Sequence, residues 1–406
     1  MLRAALRFGV RSTSLLAGGW LLRALSGTAA AVGASPREIR PVVQRSPQYT
    51  GEAFVNIEPA SPGISMDREA RRLLISEMFG SRRARKNKEQ YGRGAREEQY
   101  GRGAREEQYG RGAREEQNGR GSSWPVGPIP LAEPVDGPAG ESAVSWYGHS
   151  SVLVEVDGYR VLADPIWSRR CSPSRVVGPQ RLHEPPLALD ELPAIDAVLI
   201  SHDHYDHLDI DTVVGLVRTQ RAPFVVPLGI GAHLRKWGIP ESRIVELDWN
   251  ESHRIGELTL VCTPARHFSG RTLRRNTTLW ASWVIAGPRH RAFFGGDTGY
   301  TKSFAEIGAD HGPFNLTLLP VGAYHPAWPD IHMNPEEAVR AHLDITESGL
   351  LVPIHWATFR LAPHPWAEPV QRLLAAAGPA GVHVAVPRPG QRVDHQSPAL
   401  DPWWQL

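Results

Sequence analysis

LISHDHYDHLDI, Leu199 to Ile210, crowds three histidines and three aspartates into the place where an apolar run gives out. Upstream, AIDAVLISH reads as a continuous apolar strand of the kind buried on both faces. Downstream, LDIDTVVGLVRT has the helical period. The chemistry-bearing residues therefore sit on a strand-to-helix turn. Alternate residues of an extended chain point the same way, so His202 and His204 can meet one ion. Asp206 and His207 follow at once, and the turn can aim them at a second position. Imidazole nitrogen and carboxylate oxygen are donors that suit zinc. A lone histidine in such a turn is most often an ordinary surface residue. The spacing H-x-H-x-D-H between a buried strand and a helix argues for a metal site instead.

Two cations side by side need an anion between them, and Asp297, in FFGGDTG, is the candidate. His267, after the strand LTLVCTP, and His355, in VPIHW, would complete the two shells. Each of the three follows an apolar strand. Strands stacked in parallel would deliver all of them to one edge of a sheet.

The same alternation of patterns continues through the C-terminal two thirds. SVLVEVDGYRVLADP reads as a hairpin turning at Asp157-Gly158. PFVVP, WASWVIAG, RAFFGGDTG, LTLLPVGAYH and GLLVPIHW read as strands. GAHLRKWG, NPEEAVRAHLD and AEPVQRLLAAAG read as helices, the second with Asn334 as N-cap and Pro335 in its first turn. Strands with helices between them make an α/β layered domain, expected over residues 141–406.

The remainder of the chain lacks such patterning. Residues 1–34 are rich in arginine and free of acid, with a short apolar middle. This fits a secretory signal, a mitochondrial transit peptide or an amphipathic segment on a membrane surface. Residues 35–85 form an N-terminal extension. Residues 86–140 form a repetitive linker in which EQYGRGARE recurs; its Gly, Arg and Glu offer no apolar face, so disorder is expected. Forty-five basic against 43 acidic side chains argue against a general nucleic-acid binder. Two cysteines imply no disulfide framework. The thirteen tryptophans suit either a core or the lining of a cleft.

SHDHYDHLD resembles the signature of the metallo-β-lactamase superfamily. The blocks GHSSVLVEVDG, LADPIWSRRCSPS, FFGGDTGY, GPFNLTLLPVGAY, NPEEAVRAH and PIHWATFRLA extend the likeness from about Gly148 to about Ala362. Together they resemble the N-acyl-phosphatidylethanolamine-hydrolysing phospholipase D family. That resemblance implies a four-layer αββα sandwich with its metals at one edge. It implies two zinc ions per chain: His202, His204 and His267 on one, Asp206, His207 and His355 on the other, Asp297 between. It further implies Asp164 as a carboxylate orienting a ligating histidine, and Tyr205 and His332 near the substrate, with Asp206, Asp297 and His332 serving the chemistry. Ile331 stands where the family's animal members lead one to expect a glutamine.

The activity so implied is release of N-acylethanolamine and phosphatidic acid from a phospholipid, at a peripheral membrane contact and without nucleic acid; a homodimer is compatible. The apolar residues of GAYHPAWPD favour a lipid. Another phosphodiester, a cyclic phosphate or a lactone would suit the same metals, and a lipid-binding protein with a vestigial site is the non-enzymatic alternative. A nuclease of the same superfamily would need an added clamp domain, for which the sequence gives no sign.

Overall fold

A computed structural model describes residues 27–60, 124–125, 127–134, 137–394 and 401–406. The basic segment of residues 1–26 and the repeats of residues 86–121 lie outside the described residues.

Two seven-stranded sheets share one wiring plan. The first holds β1 (Ser142–Gly148), β2 (Ser151–Val156), β3 (Tyr159–Ala163), β4 (Ala197–Leu199), β5 (Phe224–Pro227) and β6 (Ile244–Leu247), with a late strand, β14 (Arg392–Asp394), beyond β1. The second runs in order from β7 (Ser252–Ile255) through β8 (Leu258–Thr263), β9 (Ser282–Ala286), β10 (Arg291–Phe294), β11 (Leu316–Pro320) and β12 (Leu350–Ile354) to β13 (His383–Val384). In both, one half pairs antiparallel and the other parallel. The helices are α1 (Thr28–Val32), α2 (Pro36–Val43), α3 (Ile210–Thr219), α4 (Ile230–Lys236), α5 (Ser303–His311), α6 (Pro335–Ile345) and α7 (Glu368–Ala380). This is the αββα sandwich the sequence pointed to.

Local rules explain the element ends. Asp157 and Gly158 take φ of 46° and 86°, the left-handed pair that a tight hairpin needs. Asp209 caps α3 by accepting from the Thr212 amide, and Asn334 caps α6 by accepting from Glu337.

The wiring also sets the site. Because β1 and β2, then β2 and β3, pair antiparallel, β1 runs with β3 and β4. By the same count β8 runs with β10, β11 and β12. The carboxyl ends of these strands form one rim of the sandwich, where ligands of open α/β sheets commonly gather.

The core between the sheets is aromatic. Trp146, Trp280, Trp283, Phe293 and Phe294 are fully buried, and Trp146 stacks on Trp356 with ring centres 5.8 Å apart. Most described tryptophans thus belong to the core reading. Trp403 and Trp404, near the C-terminus, are also buried there.

The sequence left residues 35–85 outside the folded domain, but the part of them that is described packs into it. Ile39, Val43 and Phe54 join the main core, as does Ala34 at the end of the preceding segment, Lys236 pairs with Glu38 at 2.7 Å, and Arg45 reaches Glu251. The residues flanking these apolar positions are largely polar and broken by Pro36, Pro41 and Pro47, so no clear period announced them.

Candidate metal centre

Four strands of the rim carry the expected ligands at their ends. His202 follows β4, His267 follows β8, Asp297 follows β10 and His355 follows β12 directly. Asp297 reaches its place because Gly296 turns at φ 57°, and a Cβ there would lie 2.5 Å from that of Ser201. Only glycine allows β10 to pass so close to the β4 turn.

Side chains at the rim fall into two buried groups. In one, His202 Nε2 lies 2.7 Å from His204 Nδ1, which lies 3.4 Å from His267 Nε2. In the other, Asp206 Oδ2 lies 3.5 Å from His207 Nε2, 3.4 Å from His355 Nε2 and 3.0 Å from His149 Nε2. Asp297 Oδ2 stands between the groups, 3.1 Å from His355, 3.2 Å from His207, 3.7 Å from His267 and 4.0 Å from His202. All seven residues expected to ligate are therefore brought together. Asp203, between His202 and His204, faces away, accepting from the Gly270 amide and Thr278.

These residues fit a metal pair. Asp297 Oδ1 and His207 Nε2 are buried and make no hydrogen bond, and orphaned buried polar atoms ask for a partner. Three rings are turned so that one nitrogen faces inward while the other meets oxygen. His207 Nδ1 is 2.6 Å from Asp164, His202 Nδ1 is 2.9 Å from the Ser201 hydroxyl, and His267 Nδ1 is 2.8 Å from the Ile331 carbonyl. Such bonds set the tautomer and leave a lone pair for a cation. Burial, reinforced by neighbouring imidazoles, holds His202 well below the ordinary histidine range. Burial pushes His207 and His355 the same way, but Asp297, Asp206 and other carboxylate contacts overcome it, raising His355 to about 9. This concentration of negative charge draws protons in a metal-free chain and cations in a loaded one.

Asp164 lies beneath His207 and Ser201, in the position the family resemblance implied. The isoleucine at 331 serves through its backbone carbonyl, so the loss of a polar side chain does not touch the orientation of His267. Its own side chain packs with Ala323, Ala327 and Trp328. Tyr205 donates its hydroxyl to the Arg271 carbonyl at 2.8 Å, bracing the 270–276 loop rather than presenting a free group. His332 Nδ1 is 3.8 Å from Asp297 Oδ2. Burial, against the pull of Asp297, takes its pKa down to about 4. Burial thus favours the neutral ring.

Two residues escaped the sequence reading. His149, in the β1–β2 turn at φ 53°, is fully buried against Asp206, and its carbonyl accepts the His355 amide at 2.9 Å. Its only sequence signal was a histidine after Gly148 in a hairpin. Asn56 lies 211 residues before His267 and pairs with its backbone twice, donating to the carbonyl at 2.9 Å and accepting from the amide at 3.0 Å. Asn56→Ala should cost about 1–3 kcal/mol of stability per group left unpaired, read by urea denaturation. Unchanged stability would mean that water replaces the side chain.

Residues 159–356 match the Beta-lactamase superfamily domain. A protein of Mycobacterium tuberculosis is 61% identical over 411 residues, the whole of both chains. The chain belongs to the metallo-β-lactamase superfamily. It is a metal-dependent hydrolase. It is 37% identical over 227 residues to N-acyl-phosphatidylethanolamine-hydrolyzing phospholipase D 1 of Caenorhabditis elegans, a match covering 53% of this chain and 64% of that one. Among solved structures, the isothiocyanate hydrolase from Delia radicum gut bacteria shares the fold, with a TM-score of 0.50 and 18% identity over 62% of this chain and 98% of its own.

Proposed function

We propose that the protein is a phosphodiesterase of phospholipase D type, cleaving N-acyl-phosphatidylethanolamine with two zinc ions. The observation that carries this reading is the carboxylate of Asp297 shared between two histidine groups, beside a small apolar crevice of about 30 Å³. Leu182, Trp356, Phe359, Leu361 and Trp366 line that crevice together with His355. Apolar side chains beside an anion-binding centre suit a phospholipid better than a small soluble ester.

His202, His204 and His267 would hold one ion, Asp206, His207 and His355 the other, and Asp297 both. His149 Nε2, within reach of the second group, steadies Asp206. A metal pair bound there would polarise the phosphate and supply an activated water. The water oxygen joins phosphorus, the bond from phosphorus to the ethanolamine oxygen breaks, and the departing alkoxide takes the proton that the water gives up. The products are phosphatidic acid and N-acylethanolamine. His332, neutral and facing Asp297, hydrogen-bonds a phosphoryl oxygen from its free ring nitrogen.

Purified protein should contain close to two zinc ions and release N-acylethanolamine from the phospholipid. A chelator should abolish release, and added zinc should restore it. Full turnover by metal-stripped protein would refute the metal role. Cleavage of a soluble phosphodiester or a lactone, with the phospholipid untouched, would refute the substrate.

A further inference from the structure

Residues 54–58 run along the rim, and from Val55 onward their alternation is inverted. A surface strand normally turns apolar residues inward and polar ones outward. Here Phe54 enters the core, Asn56 grips His267, and Glu58 accepts from Thr301 and the Lys302 amide. Between them Val55 and Ile57 face out, 45% and 55% exposed. The segment is tied to the 270–276 loop, since the Phe54 amide donates to the Asn276 carbonyl at 2.8 Å. That loop carries Leu273, 103% exposed, followed by exposed Arg274 and Arg275. Arg275 lies over the Phe268 ring, which packs edge-on against His204. Apolar side chains and arginines thus stand together on one rim, next to the ligands of the metal centre.

Isolated exposed apolar residues need no explanation, but three joined to a basic loop beside an active centre do. We propose that this rim docks on an anionic phospholipid surface, with Val55, Ile57 and Leu273 entering the acyl boundary and Arg274 meeting lipid phosphates. Shallow apolar insertion beside basic charge is how peripheral proteins hold such surfaces. The choice of lipid rests on the proposed substrate. N-acylation removes the ammonium charge of phosphatidylethanolamine, leaving its phosphate uncompensated, and the product phosphatidic acid is also an anion. The surface is therefore negative wherever the enzyme works.

Vesicle flotation of the full chain, with metal chelated so that no lipid is consumed, tests this. Wild-type protein should float with phosphatidylcholine vesicles containing phosphatidic acid, less at high salt, and weakly with phosphatidylcholine alone. The double variant Leu273→Asp, Arg274→Glu should lose at least about tenfold in partitioning, and Ile57→Asp should weaken it independently. Both should keep wild-type metal content and turnover of bis-p-nitrophenyl phosphate, which shows that they fold. Failure of the wild type to float, or undiminished flotation of both variants, overturns the proposal. So does light scattering that finds a dimer dispersed by Leu273→Asp without vesicle binding, because the rim would then join two copies. Flotation without hydrolysis of N-acyl-phosphatidylethanolamine would sink the substrate reading and leave docking standing. Hydrolysis of detergent-dispersed lipid without flotation would do the reverse.

Discussion

Asp297→Asn is expected to lower kcat/KM at least about a hundredfold and to reduce bound metal to one ion per chain or fewer. Losing an outer hydrogen-bond partner of a ligand already costs 10–100-fold in affinity or activity, and Asp297 sits closer in than that. Its Oδ2 lies within 4.0 Å of His202, His207, His267 and His355. Asparagine keeps the shape but removes the charge that two cations would share. In the native chain burial alone would raise the Asp297 carboxyl, yet His207 and His355 hold it well below the usual carboxylate range. The group is therefore ionised whether or not metal is present. Metal analysis and steady-state kinetics on the same preparation provide the measurement. A variant with wild-type metal content and rate would remove Asp297 from the centre.

Asp164→Ala should be the most destabilising single change at the rim. Asp164 is completely buried, accepting from the Ser201 amide at 2.7 Å, the Ser201 hydroxyl at 2.6 Å and His207 Nδ1 at 2.6 Å. Alanine removes this acceptor from all three. Breaking a buried charged pair from one side costs about 3–5 kcal/mol, and zinc affinity should fall about 10–100-fold as His207 loses its tautomer. Asp164→Asn separates the two effects. Its amide oxygen still accepts from Ser201 and recovers part of the stability, while its NH₂ faces a ring nitrogen that needs an acceptor, so affinity stays low. Urea denaturation with metal chelated reads the first quantity, and competition against a coloured chelator reads the second. Equal behaviour of the two variants would show that Asp164 fills space and does not orient His207.

What could be read in the sequence follows from the range of each signal. H-x-H-x-D-H is local: a strand's period places His202 beside His204 and sends Asp203 the other way, and both hold in three dimensions. The Asp157-Gly158 hairpin and the caps of α3 and α6 are likewise settled within a few residues. Asp164 was visible as a residue but not as a contact, since a turn-forming aspartate before proline looks the same. His149 gave almost no sign, because one histidine in a hairpin turn has no pattern of its own. Asn56 gave none. Neither did the carbonyl of Ile331, which made a side-chain substitution look more consequential than it is.

The amino-acid sequence by itself determined the donor types, the strands that carry them and the anion that sits among them, because side-chain chemistry and backbone period act over short distances. Tertiary structure alone decided which ends share a rim, which carbonyls and amides fix the rings, and how the segment at residues 54–58 is turned. The physical reason is that those bonds join positions separated by as many as 244 residues. Spacing along a chain carries no record of such contacts; they exist only once two sheets have packed on a common core and brought their strand ends to one edge.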